Sequence, residues 1–252
     1  MWDYTGTLED CVAVVIGGAG GIGTAICEVL SRAGARVVVS YQRSEQPARD
    51  LVERLHGGPH LALRASVTDS ASLARLAANA EEIFGRCDLL VNCAGITRFV
   101  AHADLDGLDD ALIDDILTTN VRGPFAVVRA FKPLLARSAD ALVINVSSIA
   151  ARTAMGSNIM YCASKAALDN MTQSLARALA PAIRVISVAP GLVDTAFVQG
   201  LDPGWRNEQA ARSPLGRLAC AEEIGLAVLA ARLGLPYSTG IVIPVDGGRP
   251  LA

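Results

Sequence analysis

Short runs of apolar residues alternate along the chain with longer segments in which apolar residues recur at helical spacing. The runs predict seven strands, near residues 11–16, 36–41, 60–65, 87–92, 141–146, 183–188 and 240–244. The longer segments predict six helices, near residues 21–33, 45–56, 70–84, 106–136, 159–180 and 220–232. Such alternation is typical of successive βαβ units, so we expect an α/β fold with a doubly wound parallel sheet and helices on both faces.

The length of the chain favours a single domain. The 252 residues are ample for one large α/β domain and few for two. Because no internal repeat and no Pro- or Ser-rich linker marks a boundary, we expect residues 1–252 to form one domain. The one long irregular stretch, residues 191–219, is predicted to be a loop that shapes the substrate site.

Composition and charge exclude several classes of protein. Hydrophobic residues make up 52% of the chain, which suits buried parallel strands, and the net charge is −3. Without a basic stripe, neither nucleic acid nor a membrane is an expected partner. The N-terminus has no secretory pattern, so a cytoplasmic location is expected. The six cysteines form no C-x-x-C pair and lie in apolar segments; we interpret them as reduced core residues and expect no metal site.

A glycine-rich segment joins the first predicted strand to the first predicted helix. It reads Gly17-Gly18-Ala19-Gly20-Gly21-Ile22-Gly23. Glycines allow the backbone to approach a pyrophosphate at a helix N-terminus, where free N–H groups and the helix dipole favour negative charge. Because the segment follows a strand and opens a helix, it indicates dinucleotide binding more than a turn with only packing value.

The end of the second predicted strand bears on which dinucleotide is bound. An acid at this place would hold the ribose 2′-OH of NAD, whereas a basic residue accommodates the 2′-phosphate of NADP. The chain has Arg43 and Ser44 here and no acid before Glu45. NADP(H) is therefore favoured. NAD(H) remains the alternative, since Arg43 can equally lie in solvent and position 20 is glycine.

Tyr161 and Lys165 are four residues apart in a segment of helical spacing, so we expect them on one face of a helix. The ammonium group of a lysine favours the charged form of a nearby phenol. The chain has only one other lysine, Lys132, so lysine is not its usual choice for a charged surface position. The pair is a candidate for proton transfer, with a surface helix that happens to carry both residues as the alternative.

Further polar residues are expected near the same edge of the sheet. Asn92-Cys93-Ala94-Gly95 and Ser147-Ser148 follow predicted strands at the carboxyl ends, where open α/β sheets bind ligands. Asn120 precedes Gly123-Pro124, a break in the helical pattern, and its amide could hold a water or an adjacent carbonyl. An ordinary polar helix residue is the alternative for Asn120.

Taken together, these motifs resemble the short-chain dehydrogenase/reductase family over essentially the whole chain. The resemblance rests on the glycine-rich segment, on Asn92-Cys93-Ala94-Gly95, on Tyr161 with Lys165, and on Pro190-Gly191-Leu192-Val193-Asp194-Thr195. It implies a Rossmann-type fold and an NAD(P)(H)-dependent oxidoreductase that interconverts a ketone and a secondary alcohol. A non-catalytic cofactor-sensing protein is the alternative from another class, since fold alone does not establish function.

The resemblance also implies roles for individual residues. Tyr161 would be the general acid or base, Ser148 would polarise the substrate oxygen, and Lys165 would assist Tyr161 and hold the nicotinamide ribose. Asn120 would anchor a water that relays protons. Ser148 is chosen over Ser147 because the family's serine stands thirteen residues before its tyrosine. The residues expected to bind the cofactor are Gly17, Gly21, Ile22, Gly23, Tyr41, Arg43, Ser44, Ser66, Val67, Asn92, Ala94, Gly95, Tyr161, Lys165, Pro190, Gly191, Val193 and Thr195.

Two departures from the family pattern concern the cofactor. Ile16 stands where the family has a threonine that braces the glycine turn. Ser66 stands where the family commonly has an acid that meets the adenine amine, so the adenine contacts are expected either to be weaker or to be made by the backbone of Val67. Both departures affect expected cofactor affinity and not the reaction.

The substrate is predicted less sharply than the reaction. Gly95-Ile96-Thr97-Arg98 resembles the same segment of 3-oxoacyl-carrier-protein reductases. Arg137 and Arg177 lie where that subgroup meets its acidic carrier, with a solvated helix face as the alternative for both arginines. A small-molecule carbonyl or alcohol, either free or carrier-bound, is thus the expected partner. Trp205 and Arg206 could instead shape a pocket for a sugar, polyol or other secondary alcohol. The Ala- and Leu-rich long helices, which the family commonly pairs between subunits, favour a homotetramer.

Overall fold

Seven parallel strands form the central sheet of the computed structural model, which describes residues 3–251. They are β1 (Val12–Ile16), β2 (Arg36–Tyr41), β3 (Leu61–Arg64), β4 (Leu89–Asn92), β5 (Ala141–Val146), β6 (Ile183–Pro190) and β9 (Val242–Val245). Two short strands, β7 (Val193–Asp194) and β8 (Ala219–Cys220), pair with each other outside this sheet. Each of the seven predicted strands is present.

The order of the strands creates a crevice beside β1. The sheet runs β3-β2-β1-β4-β5-β6-β9, so the chain builds outward from β1 to β3 and then crosses to the other side at β4. Ile16 at the end of β1 lies beside Asn92 of β4, which in turn lies beside Asn145 of β5. Ligands of open α/β sheets bind where the strand order reverses in this way.

Helices cover both faces of the sheet. They are α1 (Gly21–Arg32), α2 (Glu45–Arg54), α3 (Ser70–Phe84), α4 (Asp110–Leu117), α5 (Gly123–Leu135), α6 (Ala150–Thr153), α7 (Ile159–Leu179), α8 (Ala196–Gln199), α9 (Pro203–Ala211) and α10 (Ala221–Gly234). Alternate residues of β1 enter opposite cores. Val15 belongs to the core that includes α1 and α10, and Val14 to the core that includes α3 and α5. Burial on both faces explains why the strands are continuous apolar runs.

The predicted helix over residues 106–136 is wrong in detail, because the structure divides it. Helix α4 ends at Leu117, a π-helical turn occupies Thr118–Arg122, and α5 follows. Pro124 lies in the first turn of α5, where a missing backbone N–H breaks no helical hydrogen bond. The interruption therefore replaces the expected kink with a wider turn that carries Asn120.

Residues 191–219 also differ from the prediction of an irregular loop. They contain β7, α8, α9 and the first residue of β8. Helix α9 begins at Pro203, and the Asp202 side chain accepts a hydrogen bond from the Trp205 N–H at 2.7 Å, which caps the helix. The helical pattern over so short a stretch is too brief to be read from the sequence.

The cysteines are only partly core residues. Cys11, Cys27, Cys87 and Cys162 are buried and unpaired, as expected. Cys93 is half-buried, and Cys220 is exposed at the N-terminal end of α10. The interpretation of all six as core residues is therefore wrong for Cys220, whereas Cys93 packs against the core despite its partial exposure.

Within residues 3–251, no helix combines the length and apolar character required to span a membrane.

Candidate active site

A cleft of about 760 Å³ lies at the carboxyl ends of the strands, beside the crevice between β1 and β4. The glycine-rich turn after β1, the segments after β4, β5 and β6, and the start of α7 all contribute to it. The predicted site residues that line it are Gly17, Gly21, Ile22, Gly23, Gly95, Ser148, Tyr161, Lys165, Gly191, Val193 and Thr195. The structure thus brings together most of the residues that the sequence selects.

The remaining predicted residues lie outside the lining of this cleft. Asn92, Ala94, Asn120 and Pro190 stand next to or behind lining residues, whereas Tyr41, Arg43, Ser44, Ser66 and Val67 occupy the edge formed by β2 and β3. The Gln42 amide donates to the Ser66 hydroxyl at 3.2 Å and so ties the ends of these two strands together. Tyr41 is buried, while Arg43 and Ser44 are exposed.

The glycine-rich turn leaves no space for side chains. A Cβ atom at Gly23 would lie 2.2 Å from the carbonyl oxygen of Gly17, and one at Gly17 would lie 2.8 Å from the backbone of Ala94. Gly17 has a φ of +76°, which favours glycine. Helix α1 begins at Gly21 without a side-chain cap, so its first N–H groups face the cleft free of side-chain acceptors. This cradle fits the pyrophosphate of a dinucleotide.

Tyr161 and Lys165 lie on the same face of α7. The Lys165 ammonium is 5.7 Å from the centre of the Tyr161 ring and donates a hydrogen bond to the Val146 carbonyl at 2.9 Å. Only 6% of Lys165 is exposed. Helix α7 is fixed at its start by Asn158, whose side chain accepts the Tyr161 N–H at 2.6 Å. A nearly buried cation is therefore held next to a phenol that faces the cleft.

Two other titratable groups lie close to this pair. Burial raises the pKa of the Cys93 thiol to about 11, although Lys165 acts in the opposite direction. Burial also raises the pKa of Asp169, one turn beyond Lys165, while the nearby Ser147 and Ser187 side chains act in the opposite direction. Cys93 is consequently protonated near neutral pH and has no nucleophilic thiolate to offer.

The two consecutive serines after β5 differ in their surroundings. Ser147 is 3% exposed, and its hydroxyl donates to the Lys165 carbonyl at 3.4 Å. Ser148 is half-buried, and its oxygen accepts the Ala150 N–H at 3.1 Å. Within the described chain the Ser148 hydroxyl proton has no acceptor. It is therefore available to a ligand in the cleft.

Asn120 is fully buried in the π-helical turn, and its amide joins two segments of the site. Its nitrogen donates to the Ile96 carbonyl at 3.0 Å and to the Ser164 hydroxyl at 3.1 Å, while its oxygen accepts the Ile96 N–H at 2.9 Å. The Ser164 hydroxyl in turn donates to the Tyr161 carbonyl at 2.7 Å. Of the two uses considered for this amide, holding an adjacent carbonyl is the one that the side-chain contacts display.

Helix α9 supplies cleft residues that the sequence reading only partly identifies. Trp205 lines the cleft as expected, and its ring meets Phe99 edge-on with centroids 5.9 Å apart. Arg206 does not line the cleft, because its guanidinium pairs with Asp194 at 2.9 Å. The cleft residues missed by sequence reasoning include Phe99, His102, Met155, Gln209, Arg212 and Arg249.

A model of a protein family matches most of this chain. The model is described as enoyl-(acyl carrier protein) reductase, and it matches residues 17–249. Several curated proteins and solved structures of short-chain dehydrogenases/reductases align over nearly the same span. The chain belongs to the short-chain dehydrogenase/reductase family.

Three relatives illustrate the similarity of this short-chain dehydrogenase/reductase to known proteins. One relative belongs to the granaticin polyketide synthase of Streptomyces violaceoruber and bears the name of a ketoacyl reductase. It is 39% identical, with 96% of this chain and 97% of the relative aligned. The cis-4-hydroxycyclohexanecarboxylate dehydrogenase of Sinomonas cyclohexanicum is 36% identical over 94% and 95% of the two chains. The solved structure of the Pseudomonas aeruginosa RhlG/NADP complex is 34% identical and has a TM-score of 0.88. The alignment covers 99% of each of the two chains.

The comparisons confirm the fold and the reaction class expected from the sequence. The protein is a Rossmann-type short-chain dehydrogenase/reductase and an oxidoreductase of CH–OH groups that uses NAD(P)(H). The alternative of a non-catalytic cofactor-sensing protein is set aside on that ground. The cradle at the glycine-rich turn is consistent with such a cofactor.

Proposed function

We propose that the enzyme interconverts a ketone and a secondary alcohol with Tyr161 as the proton-transfer group, Ser148 as the second donor to the substrate oxygen and NADP(H) as the preferred cofactor. One observation carries the proposal. The phenol of Tyr161, the ammonium of Lys165 and the hydroxyl of Ser148 border the same cleft as the glycine-rich turn.

The cofactor, when bound, supplies or accepts the hydride at the carbinol carbon. The chain's own residues do the rest. The glycine-rich turn holds the pyrophosphate, and Ser148 donates a hydrogen bond to the substrate oxygen as negative charge develops on it. Tyr161 gives its proton to that oxygen in reduction and takes it back in oxidation. Lys165 stabilises negative charge on the phenol oxygen, and its near-complete burial strengthens that interaction.

Asn120 acts in this proposal as a positioning residue. It holds the Ile96 backbone, which borders the cleft, and through Ser164 it is linked to the Tyr161 carbonyl. A water held near this residue would relay protons towards Lys165, as the family resemblance implies. The side-chain amide itself is occupied by protein groups.

The preference for NADP(H) is supported by the edge formed by β2 and β3. Arg43 is exposed there and has no ion pair within residues 3–251, and no acid lies between the end of β2 and Glu45. A free guanidinium at this place suits the 2′-phosphate. Pseudomonas aeruginosa RhlG, which has been solved with NADP, is consistent with this choice.

As the first named activity we propose reduction of a 3-oxoacyl thioester. Its support is the similarity to 3-oxoacyl-[acyl-carrier-protein] reductase FabG of Escherichia coli, which is 34% identical over 95% of this chain. Arg137, suggested as a carrier contact, is paired with Glu81, whereas Arg177 is exposed. Phe99, Met155 and Trp205 give the cleft an apolar side that suits an acyl chain, while sugar or polyol dehydrogenation remains the alternative.

We further propose a homotetramer. The strand β9 lies at the edge of the central sheet, and Ile241 before it and Leu251 after it are exposed. Phe125 on α5 is also exposed. Exposed apolar side chains beside an edge strand and on a helix are typical of surfaces that pair with a second copy.

The decisive experiment is Tyr161→Phe, assayed by absorbance at 340 nm with ketones and alcohols and with both NADPH and NADH. We expect kcat to fall at least about 100-fold, since general acid–base catalysis contributes about 10²–10⁴-fold. Binding of the cofactor should persist. The Tyr161 hydroxyl makes no hydrogen bond within the described chain, so the variant should fold.

The matched control is Tyr237→Phe, which removes a fully exposed hydroxyl outside the cleft. This control should retain wild-type rates and a higher kcat/KM with NADPH than with NADH. Wild-type turnover in Tyr161→Phe would overturn the proton-transfer assignment. A preference for NADH would overturn the cofactor proposal alone.

A further inference from the structure

The cleft is lined by cations and by no carboxylate among the described residues. One of these cations, Lys165, has a place in the proton transfer described above. Two others, Arg212 and Arg249, lie in segments that hold neither the glycine-rich turn nor the proton-transfer group. Their charge has no function in the reaction as proposed so far.

Arg249 is held in place by helix α9. Its guanidinium donates to the Gln209 carbonyl at 2.9 Å and also to the side-chain oxygen of Gln209. Gln209 is buried and follows Trp205 by four residues, so both side chains lie on the cleft face of α9. Trp205 in turn meets Phe99 of the segment after β4. Arg249 is therefore oriented by the same helix that borders the substrate end of the cleft.

Arg212 directly follows α9 and adds a second guanidinium at this end. Neither arginine has an ion pair within residues 3–251. Burial lowers the pKa of Arg249, the positive charge of Arg212 lowers it further, and Glu208 acts weakly in the opposite direction. Two like charges thus line the same cleft with no carboxylate paired to either of them in residues 3–251, and their repulsion costs free energy that a bound anion would recover.

We propose that Arg212 and Arg249 bind an oxyanion of the substrate, so that the enzyme prefers ketones or alcohols that carry a carboxylate or phosphate over neutral ones. This inference rests on the proposed function, because it names the substrate class of the same cleft. Planar guanidinium groups suit both anions, since each can donate two parallel hydrogen bonds to a pair of oxygens. The oxyanion belongs either to a small keto acid or to the phosphate-bearing arm of a thioester.

Two matched pairs of substrates distinguish these sources. The first pair is 4-oxocyclohexanecarboxylate and its methyl ester, and the second is acetoacetyl-coenzyme A and the neutral acetoacetyl-N-acetylcysteamine thioester. Each is assayed for kcat/KM with NADPH, and its binding is measured by calorimetry. We expect the charged member of one pair to be preferred by about 10- to 100-fold, the range for a hydrogen bond to a charged group.

The variants Arg212→Gln and Arg249→Gln should each remove most of that preference, because the KM of the charged substrate rises much more than the KM of its neutral partner, while NADPH binding persists. The Arg212 side chain is exposed and makes no hydrogen bond within the described chain, so its variant should fold even if loss of Arg249 disturbs α9. Arg75→Gln, which removes an exposed arginine of α3 far from the cleft lining, is the control for net charge.

The outcomes separate the inference from the proposed function. Equal use of charged and neutral substrates, or equal losses for both in the arginine variants, would overturn the inference while leaving the oxidoreductase proposal intact. Arginine-dependent binding of the acid without turnover of any ketone would support the inference and overturn the proposed function. If the arginine-dependent preference appears in the keto acid pair, the bound anion is the carboxylate. If it appears in the coenzyme A pair, the bound anion is the phosphate.

Discussion

Asn120→Ala should lower both stability and activity, because the buried amide joins the segment after β4 to helix α7. The substitution removes two hydrogen bonds to the Ile96 backbone and one to Ser164. At about 1 kcal/mol of net stability for each bond, the loss is about 3 kcal/mol. Water from the cleft can reach the Ile96 backbone and replace part of the lost hydrogen bonding. We therefore expect a decrease of about 2–3 kcal/mol in the free energy of unfolding.

The assay combines urea unfolding with steady-state kinetics. For a domain of this size, about 2–3 kcal/mol corresponds to a decrease of roughly 4–12 °C in Tm. Activity should fall further than stability explains. Ile96 borders the cleft and Ser164 contacts the Tyr161 carbonyl, so kcat should decrease at least about tenfold even where the variant is fully folded.

The control variant is Asn79→Ala, which removes the same side chain from an exposed position of α3. Alanine has the higher helix propensity, so this change should leave stability within about 0.5 kcal/mol or raise it slightly. If Asn120→Ala had the same free energy of unfolding and the same kcat as the wild type, the amide would not be the link between the two segments. If both variants lost equal stability, the effect would not come from the buried hydrogen bonds.

Two further predictions concern acid stability and assembly. Burial raises the pKa of Asp88, but hydrogen bonds from Arg86, Ser138 and the Val12 N–H outweigh it and hold the pKa below its usual value. The stabilisation is therefore present above about pH 4 and is lost as pH falls through the lowered pKa. By urea unfolding, Asp88→Asn should be about 2 kcal/mol less stable than the wild type at pH 7. A difference in stability that persists unchanged at low pH would contradict this prediction. Sedimentation velocity at micromolar concentration should give a tetramer, and a monomer would refute the assembly proposed from the exposed β9 edge.

The sequence predicts the sheet well because the signal for each strand is local. A run such as Val12–Ile16 is buried on both faces, so its apolar character needs no knowledge of its neighbours. The glycine-rich turn and the pair of Tyr161 and Lys165 are equally local, since their spacing alone decides which backbone or helix face they share. These are also the residues that meet in the cleft.

Features that depend on distant segments escape the sequence. The π-helical turn at Asn120 requires partners from Ile96 and Ser164, which lie 24 and 44 residues away. Arg249 gains its position only from Gln209, 40 residues earlier, and nothing near the C-terminus indicates that it reaches the cleft. Arg206 shows the reverse error, because its pairing with Asp194 could not be inferred from its place beside Trp205.

The contact between Phe99 and Trp205 has a consequence for how quickly ligands exchange. It joins the segment after β4 to α9, and 58% of Phe99 remains exposed, so little apolar area holds the two rings together. An aromatic pair contributes about 1 kcal/mol, which leaves the separated arrangement at roughly a fifth of the population of the joined one. The rings are therefore apart for a substantial part of the time. We expect a larger substrate to enter the cleft more slowly than a small one, without being excluded from it.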